Sequence, residues 1–386
     1  MSEDTTKQNS EHVSIPEILP PDKLREAKAY GRIGLRCTFA DMLIDFVFLA
    51  LATLILARPA AEQLDARLVS PYFTLLALLT GITVVNLLMS LPLTFYSGYT
   101  VEQRFGLSTL TPGHWFRRYL LQTVLALALN LALMTALFAL IRVCGPHWRW
   151  AAALAFLAFS VLFGMLLPVA VLPLFYKIQP LDNPELLARF QTLTAGTGLK
   201  ISGIYRMDMS VETSKANACL AGLGKTRRVL LGDTLLGNYS DDEIAAIFAH
   251  EVGHHVHRHM LKLMGIFFIS SFGLFFLMDV LMRAWVGDGF EYAAFPAWGM
   301  IFLLFIFSIL GTLLGPIQNA ISRHFERQAD AYARSSVSPK ALADAFIKLA
   351  IQNKADPDPH WLEVFWFDSH PSLGERIRSC QKDKIG

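Results

Sequence analysis

The chain has 386 residues, of which 53% are hydrophobic and only 17% are charged, and its mean hydropathy is +0.41. An ordinary soluble domain carries roughly 25% charged residues, so this composition excludes a typical soluble protein and indicates a lipid environment. A net charge of +2 without any basic stripe excludes a nucleic-acid-binding function, and we expect no nucleic-acid partner.

The N-terminal segment 1–22 is polar and contains prolines at positions 16, 20 and 21, which predicts a disordered tail. The first apolar stretch begins only at Cys37, too late for a cleavable signal peptide, so membrane insertion should depend on the spans themselves. The four cysteines follow no metal-binding or redox spacing, and we expect free thiols.

Six apolar stretches are long enough to cross about 30 Å of hydrocarbon as helices. They cover residues 37–57, 72–95, 120–141, 150–176, 264–282 and 295–317. Buried helices of a soluble core are the alternative, but such a core seldom contains six stretches of this length. Gly311 and Gly315 have the small-xxx-small spacing of packed membrane helices, and Asn86 and Asn130 are candidates for hydrogen bonds between helices.

The distribution of basic residues predicts the orientation of the spans. Of the 34 lysines and arginines, 29 lie in the segments before the first span, between the second and third, between the fourth and fifth, and after the sixth. Basic residues favour the cytoplasmic side of a bilayer. We therefore expect a multi-pass membrane protein with both termini in the cytoplasm and the lipid bilayer as a partner.

The segment between the fourth and fifth spans has mixed character. Its patterns predict a helix over residues 184–194 and short strands over 203–207 and 229–231, with 217–220 as a possible third strand. Ser240 and Glu243 have the spacing of a capping box, which predicts a helix start. Because only one glycine follows before the fifth span, we expect a single helix that runs from this cap into the membrane.

A metal-binding motif lies on that predicted helix. His250 and His254 are spaced i and i+4, so both imidazoles project from one helical face and can bind one zinc ion. Glu251 can bond a water molecule held by the metal, which is the position of a general base. A chain of this length contains such a motif by chance on the order of one time in a hundred, so a third ligand is needed to support it.

Glu326 is the predicted third ligand. It lies nine residues after the sixth span and His254 lies ten before the fifth, so both should be roughly 14 Å from the membrane ends of two adjacent antiparallel helices. This set predicts one zinc ion per chain with an open fourth position. Asp330, one turn later, is predicted to accept a hydrogen bond from a ligand imidazole; the alternative is a surface carboxylate paired with Arg327 or Arg334.

Four further histidines lie near the motif. Only His257 is on the ligand face, and we expect solvated or interfacial positions for His255, His257 and His259, because three ligands already complete the set. His324 should point to another side of its helix, so it is not assigned to zinc.

Further motifs follow one another in a consistent order between Lys23 and Arg378. They are Leu91-Pro92-Leu93 with Tyr96, Val101-Glu102-Gln103-Arg104-Phe105-Gly106, Pro173-Leu174-Phe175-Tyr176-Lys177 with Pro180-Leu181, Asn217-Ala218, Gly232-Asp233-Thr234-Leu235-Leu236, and His370-Pro371-Ser372-Leu373 with Glu375-Arg376. Together with the zinc motif they resemble the type I CAAX prenyl proteases, which are membrane-embedded zinc endopeptidases of the gluzincin type that cut after prenylated cysteines.

The resemblance implies a mainly α polytopic membrane protein with about six transmembrane helices in a barrel or chamber, and a cytoplasmic zincin-like region with a small β-sheet. The expected divisions are the tail 1–22, a four-span membrane domain 23–176, and a metallopeptidase domain 177–386 that includes the last two spans. Further site residues are also implied. Asn217 and Ala218 would bind extended substrate, and His370 and Arg376 would be donors for the developing oxyanion.

The expected function is zinc-dependent endopeptidase activity at the cytoplasmic face, on peptide or protein substrates that are prenylated or membrane-inserted. A quality-control protease for damaged membrane proteins is an alternative, and a non-catalytic scaffold is a second one that the retained Glu251 disfavours. A transporter is disfavoured because the spans carry few charges beyond Asp41, Asp45 and Asp279. Eukaryotic members of the family have one more N-terminal span, and the C-terminus shows no evident retrieval signal, so a bacterial inner membrane is favoured over the endoplasmic reticulum.

Overall fold

The computed structural model describes residues 19–382, so most of the predicted tail and the last four residues lie outside the described part of the chain. Leu19 is only 1% exposed and packs in an apolar cluster with Ala246, Ala333 and Leu342. The first helix then begins at Pro21. The described part of the chain therefore includes the last four residues of the predicted tail 1–22, which are ordered.

Long helices make up the N-terminal half. Their bounds are α1 (Pro21–Leu51), α2 (Ala57–Asp65), α3 (Pro71–Phe95), α4 (Glu102–Arg104), α5 (Pro112–Cys144) and α6 (Trp148–Leu166). Single π-helical turns join α1 to α2 and α3 to α4. The starts of α3 and α5 are specified locally, because Ser70 and Thr111 each cap a backbone N–H and each precede a proline.

Five continuous helical stretches within residues 19–382 are long and apolar enough to cross a membrane. They are Pro21–Asp65, Pro71–Arg104, Pro112–Leu174, His259–Val286 and Gly299–Ser336. The count differs from the six predicted spans because the third and fourth spans lie in one stretch. Only the short turn Gly145–His147 separates α5 from α6, and the two helices pack against each other.

A mixed four-stranded sheet follows the membrane helices. Its elements are β1 (Ile178–Pro180), β2 (Gly203–Met207), β3 (Ala218–Ala221) and β4 (Arg228–Gly232), with α7 (Pro184–Thr194) between β1 and β2. The strand order is β1-β2-β4-β3, in which β2 and β4 are parallel and the outer strands are antiparallel to their neighbours. The three predicted strands and the predicted helix are present, whereas β1 was not predicted. The order leaves β3 at an edge of the sheet.

The remaining helices carry the site. Their bounds are α8 (Asp233–Leu236), α9 (Asp241–Val256), α10 (His259–Val286), α11 (Gly299–Ser336), α12 (Pro339–Gln352), α13 (Trp361–Trp366) and α14 (Leu373–Lys382). The capping box of Ser240 and Glu243 starts α9 as predicted. The prediction of one helix into the membrane was wrong. Arg258 adopts a left-handed conformation with φ of 55°, so α9 ends at Val256 and a separate helix begins at His259.

Packing between the membrane helices follows the prediction only in part. Asn86 donates to Asp45 Oδ1 at 2.9 Å and so joins α3 to α1. Gly311 and Gly315 make no close helix contact, because no atom of the described residues lies within 4 Å of an added Cβ at either position. For Asn130, no interhelical hydrogen bond occurs within residues 19–382.

Candidate metal centre and active site

Helix α9 is held tightly against α11 at the level of the zinc motif. A Cβ added to Gly253 would lie 3.0 Å from both the Cα and the carbonyl oxygen of Ala329 and 3.1 Å from the Cβ of Tyr332. Real Cβ atoms rarely have contacts this close. Glycine therefore lets the backbone of α9 approach α11, and this approach brings the motif within reach of Glu326.

The structure brings the three predicted ligands together. The Nε2 atoms of His250 and His254 are 3.1 Å apart, and they lie 3.2 and 3.3 Å from the two carboxylate oxygens of Glu326. In a tetrahedral site with zinc bonds of about 2.0 Å, ligand atoms are separated by about 3.3 Å. Glu326 Oε2 is also buried and has no hydrogen-bond partner among the described residues. Two imidazole nitrogens and an unsatisfied carboxylate at this spacing fit a zinc ion.

The outer nitrogen of His250 is bonded to a buried carboxylate. His250 Nδ1 donates to Asp330 Oδ1 at 2.8 Å, and Asp330 is only 2% exposed. Arg376 fixes this carboxylate from the far side, with Nε and Nη2 donating to its two oxygens at 2.8 and 2.7 Å. Asp330 is therefore not a surface carboxylate paired with Arg327 or Arg334, and His250 Nε2 is left to face the cavity.

Arg376, predicted as a donor for the oxyanion, lies behind the ligand set, where its Nη2 is 3.3 Å from His250 Nδ1. Its guanidinium is buried on the outer side of His250 and lines a cavity with Asp330 and Glu375 that is separate from the one containing Glu251. Two of its nitrogens, Nε and Nη2, donate to the carboxylate of Asp330. The side chain is thus placed to orient the ligands, and its Nη2 also lies 3.8 Å from Glu326 Oε2.

His254 has an outer partner that was not predicted from the sequence. His254 Nδ1 and His259 Nδ1 are 3.0 Å apart, His259 Nε2 lies 2.8 Å from Gln328 Oε1, and Gln328 Nε2 lies 3.2 Å from His324 Nε2. If Nε2 of His254 is the ligand, its Nδ1 must carry the proton and donate to His259, whose Nε2–H then donates to Gln328.

His259 is 1% exposed and stacks on Phe325, so the expected solvated or interfacial position was wrong for this residue. The left-handed Arg258 turns the chain so that the ring of His259 comes back to the ligand helix. The crowding of histidines after the motif was the available signal, but helical spacing concealed it because the helix ends before His259.

His370 lies on the cavity side of the ligands. Its Nε2 is 3.3 Å from Glu326 Oε1, and its Nδ1 is 2.9 Å from the hydroxyl oxygen of Ser369. Burial lowers the pKa of His370, and the nearby Arg376 and His250 add to this effect against the opposing influence of Glu326. In a neutral ring that accepts from Ser369 at Nδ1, the proton is on Nε2, which lies beside Glu326 at the cavity.

The cavity beside the ligand set has a volume of about 720 Å³. The edge strand β3 forms one wall through Ala218, Cys219 and Leu220, and Glu251 and His370 also line it. Asn217 immediately precedes the strand, and its carbonyl accepts from the backbone N–H of Gly232 at 2.9 Å. An edge strand beside a cavity can pair with an extended peptide.

His250 and Cys219, which both line the cavity, have strongly raised pKa values. Burial lowers the pKa of His250, but the hydrogen bond with Asp330 and the adjacent carboxylate of Glu326 outweigh it and raise the pKa to about 9. The metal-free cluster therefore holds a proton at pH 7 that a cation must displace. Burial, with a further contribution from Glu251, raises the pKa of Cys219 to about 11. This cysteine remains a neutral thiol at pH 7, and all four cysteines are free thiols as predicted.

Two family models together cover almost the whole chain. Residues 180–384 match peptidase family M48, and residues 6–177 match the domain described as CAAX prenyl protease N-terminal, five membrane helices. The second match ends at the last residues before β1, and the first contains the complete ligand set.

Curated relatives span bacteria and eukaryotes. The chain is 27% identical over 379 residues to the Bacillus subtilis uncharacterized metalloprotease YhfN, which covers 95% of the chain and 87% of the relative. It is 28% identical over 311 residues to CAAX prenyl protease 1 of Saccharomyces cerevisiae, and this match covers 76% of the chain and 69% of the relative. It is 27% identical over 347 residues to the human CAAX prenyl protease 1 homolog, and this match covers 78% of the chain and 72% of the relative.

A solved structure has the same fold. The crystal structure of S. mikatae Ste24p matches with a TM-score of 0.81 at 24% sequence identity, and the match covers 95% of this chain and 90% of that one.

Proposed function

The chain belongs to peptidase family M48 and is a membrane zinc metallopeptidase of the CAAX protease type, and from this premise we propose that His250, His254 and Glu326 hold its zinc ion. The single observation that carries the assignment is the spacing of 3.1 to 3.3 Å between the two Nε2 atoms and from each of them to one carboxylate oxygen of Glu326. The engaged outer nitrogens of both histidines support it, because they leave each Nε2 for the metal.

Glu251 is the general base in this proposal. It follows His250 on α9, lines the cavity, and lies close enough to Cys219 to raise the pKa of that thiol. Bound zinc supplies a Lewis acid that polarises the scissile carbonyl and acidifies a coordinated water molecule. Glu251 accepts the proton of the attacking water and then delivers it to the nitrogen of the leaving amine.

Substrate is held along β3 and the oxyanion is stabilised by His370. Ala218 lines the cavity from the edge strand, so its backbone groups can pair with an extended peptide, and Asn217 lies where that strand begins. The Nε2–H of His370 donates toward the carbonyl oxygen as negative charge develops there. Arg376 and Asp330 act as positioning residues that hold the His250 ring.

The substrate that we propose is more specific than a peptide in general. Relatives named CAAX prenyl protease support a C-terminal peptide next to a prenylated cysteine as substrate, at the cytoplasmic face of the membrane. The distribution of lysine and arginine supports cytoplasmic termini. The relatives include bacterial and eukaryotic proteins, and in a bacterial inner membrane, the location that we propose, unmodified membrane proteins are the alternative substrates.

Metal content and peptide cleavage on one purified sample test the proposal. We expect about one zinc per chain and cleavage that a chelator abolishes. The Glu251→Gln variant should keep its zinc and lose cleavage by roughly 10²–10⁴-fold, because only proton transfer is removed. Full turnover by that variant would overturn the assignment of the base. A farnesylated peptide and its unmodified twin, compared in parallel, distinguish the two substrate classes.

A further inference from the structure

The active-site cavity contains cationic side chains that the proposed chemistry does not use. Arg227 lies immediately before β4, Arg258 lies between α9 and α10, and His255 follows the second ligand histidine. All three line the same cavity as Glu251. Arg227 and Arg258 form a cationic wall at one end of the cavity, and the ring of His255, whose pKa is lowered by burial and by Arg227, contacts this wall as an uncharged partner.

Arg227 is a partly buried cation that lacks an anionic partner. Its Nη1 contacts His255 Nδ1 at 2.9 Å, and its Nε is buried without any hydrogen-bond partner among the described residues. Within residues 19–382 neither Arg227 nor Arg258 forms an ion pair with an aspartate or glutamate. Burial lowers the pKa of Arg227, because its charge has lost water without gaining a counter-ion.

The carboxylates of the cavity do not neutralise this wall. Glu326 is directed at His250 and His254, and Glu251 is the proposed base. Most buried or partly buried arginines are paired, since an unpaired guanidinium keeps the full cost of its desolvation. Free donors in a planar fork, held at the wall of a substrate cavity, suit a carboxylate supplied by a ligand.

The position of the wall relates it to the substrate. β3 lines the cavity, and its last residue, Ala221, pairs with Arg228, so the strand leads directly to the end of the cavity where Arg227 lies. A peptide bound along β3 therefore extends from Glu251 toward the cationic wall. We propose that Arg227, together with Arg258, accepts a carboxylate of the peptide substrate a few residues from the scissile bond. The inference rests on the proposed function and specifies its substrate class.

Two parts of a peptide can supply this carboxylate, namely an acidic side chain or the C-terminus. Binding should be measured with zinc-loaded Glu251→Gln protein in neutral nanodiscs, so that cleavage does not interfere. The peptides are twins that differ by Glu or Gln on either side of the scissile bond, or by a free or amidated C-terminus. In one of these pairs, the peptide that carries the carboxylate should bind about tenfold more tightly than its neutral twin, as a charge-assisted hydrogen bond predicts.

Variants of the wall then identify the partner. Adding Arg227→Gln should reduce the tenfold preference to about one while neutral peptides bind as before, and Arg258→Gln, an exposed position, should reduce it in part. Arg189→Gln is the matched control, because Arg189 is exposed and pairs with Asp242 away from the cavity. Zinc content verifies that each variant is folded.

Several results would overturn the inference. Equal binding of all charged and neutral twins would do so, as would an undiminished preference in Arg227→Gln. The inference would also be overturned if Arg227→Gln changed the retention of phosphatidylglycerol but left the preference for the charged peptide intact. The wall would then bind a lipid headgroup. Failure of the proposed function is separate, because it would appear as wild-type protein that does not cleave the neutral peptides in a chelator-sensitive way.

Discussion

Two buried aspartates at opposite ends of the α10–α11 hairpin accept the same kind of hydrogen bond. Asp330 accepts from His250 Nδ1 and Asp279 accepts from Trp148 Nε1, each at 2.8 Å, and both aspartates are at most 2% exposed. Each also has an arginine nearby, since Arg376 donates to Asp330 at 2.7 Å and Arg149 lies 3.5 Å from Asp279. The two clusters differ in the ring that donates.

An indole has one nitrogen, whereas an imidazole has two. Once Trp148 donates to Asp279, no ring nitrogen remains, and Tyr292 adds a second donor to the same carboxylate at 2.9 Å. His250 still presents Nε2 to the cavity, 3.2 Å from Glu326. A buried carboxylate in this protein is thus part of the site only where the ring that donates to it has a second nitrogen for a metal. Asp279 has no such partner and gives no support to a transport function.

The largest expected effect is the pH dependence of zinc binding, which only the Asp330 cluster should show. Its partner His250 has a pKa raised to about 9 without metal, so zinc must displace a proton below that pH. Apparent zinc affinity should rise about tenfold per pH unit, or about a hundredfold from pH 6 to pH 8. Calorimetry in buffers of different ionisation enthalpy should detect the released proton.

The same shift predicts the stability of the metal-free protein. A histidine whose pKa is raised on folding stabilises the fold fully below its unfolded pKa of about 6.5, and this contribution disappears as the pH rises toward 9. Metal-free protein should therefore unfold more readily at pH 9 than at pH 6.5. Zinc affinity that is flat from pH 6 to pH 8 would contradict the assignment of His250 as a ligand.

Matched substitutions of the two aspartates should separate their roles. Asp330→Asn removes the charge that orients His250 and should weaken zinc binding by about 10- to 100-fold. Asp279→Asn should lower thermal stability and leave zinc affinity unchanged, because its cluster touches no ligand. Zinc titration and a melting curve on both variants make the test. Equal losses of zinc affinity would remove the distinction drawn between the clusters.

His259 should act on His254 as Asp330 acts on His250, but with a smaller effect because it is a neutral acceptor. We expect His259→Ala to weaken zinc binding about tenfold, at the lower end of effects for such outer partners. His259→Asn offers an oxygen near the position of Nδ1 and should restore part of the affinity. His257→Ala is the control, since His257 stacks on the His259 ring and does not bond to a ligand. An equal loss in the control would indicate packing alone.

The smallest expected effect concerns the approach of α9 to α11. Gly253→Ala places a Cβ 3.0 Å from the backbone of Ala329, so the helices must separate by a few tenths of an ångström. Zinc affinity should fall a few-fold, since the ligands come from both helices. Gly265→Ala in α10 is the control because its added Cβ meets no described atom within 4 Å. Unchanged affinity in Gly253→Ala would show that the ligand geometry tolerates this separation.

Much of the architecture was predictable because it depends on local signals. Long apolar stretches predicted the membrane helices, and the Ser240 capping box predicted the start of the ligand helix. The i, i+4 spacing of the histidines and the hairpin geometry of two adjacent spans predicted that Glu326 would come close to both rings. These signals operate within a few turns of helix or within one hairpin, so a single sequence contains them.

The sequence by itself thus determined the ligand types, their helical spacing and the membrane character of the chain. Tertiary structure alone decided that Arg258 turns the chain, that His259 supports His254, that Arg376 lies behind the ligands and that Arg227 faces the cavity without a carboxylate. The physical reason is that these outcomes depend on which edge of an imidazole or guanidinium group contacts a helix or strand that is distant in the sequence. Spacing along one helix does not encode that choice.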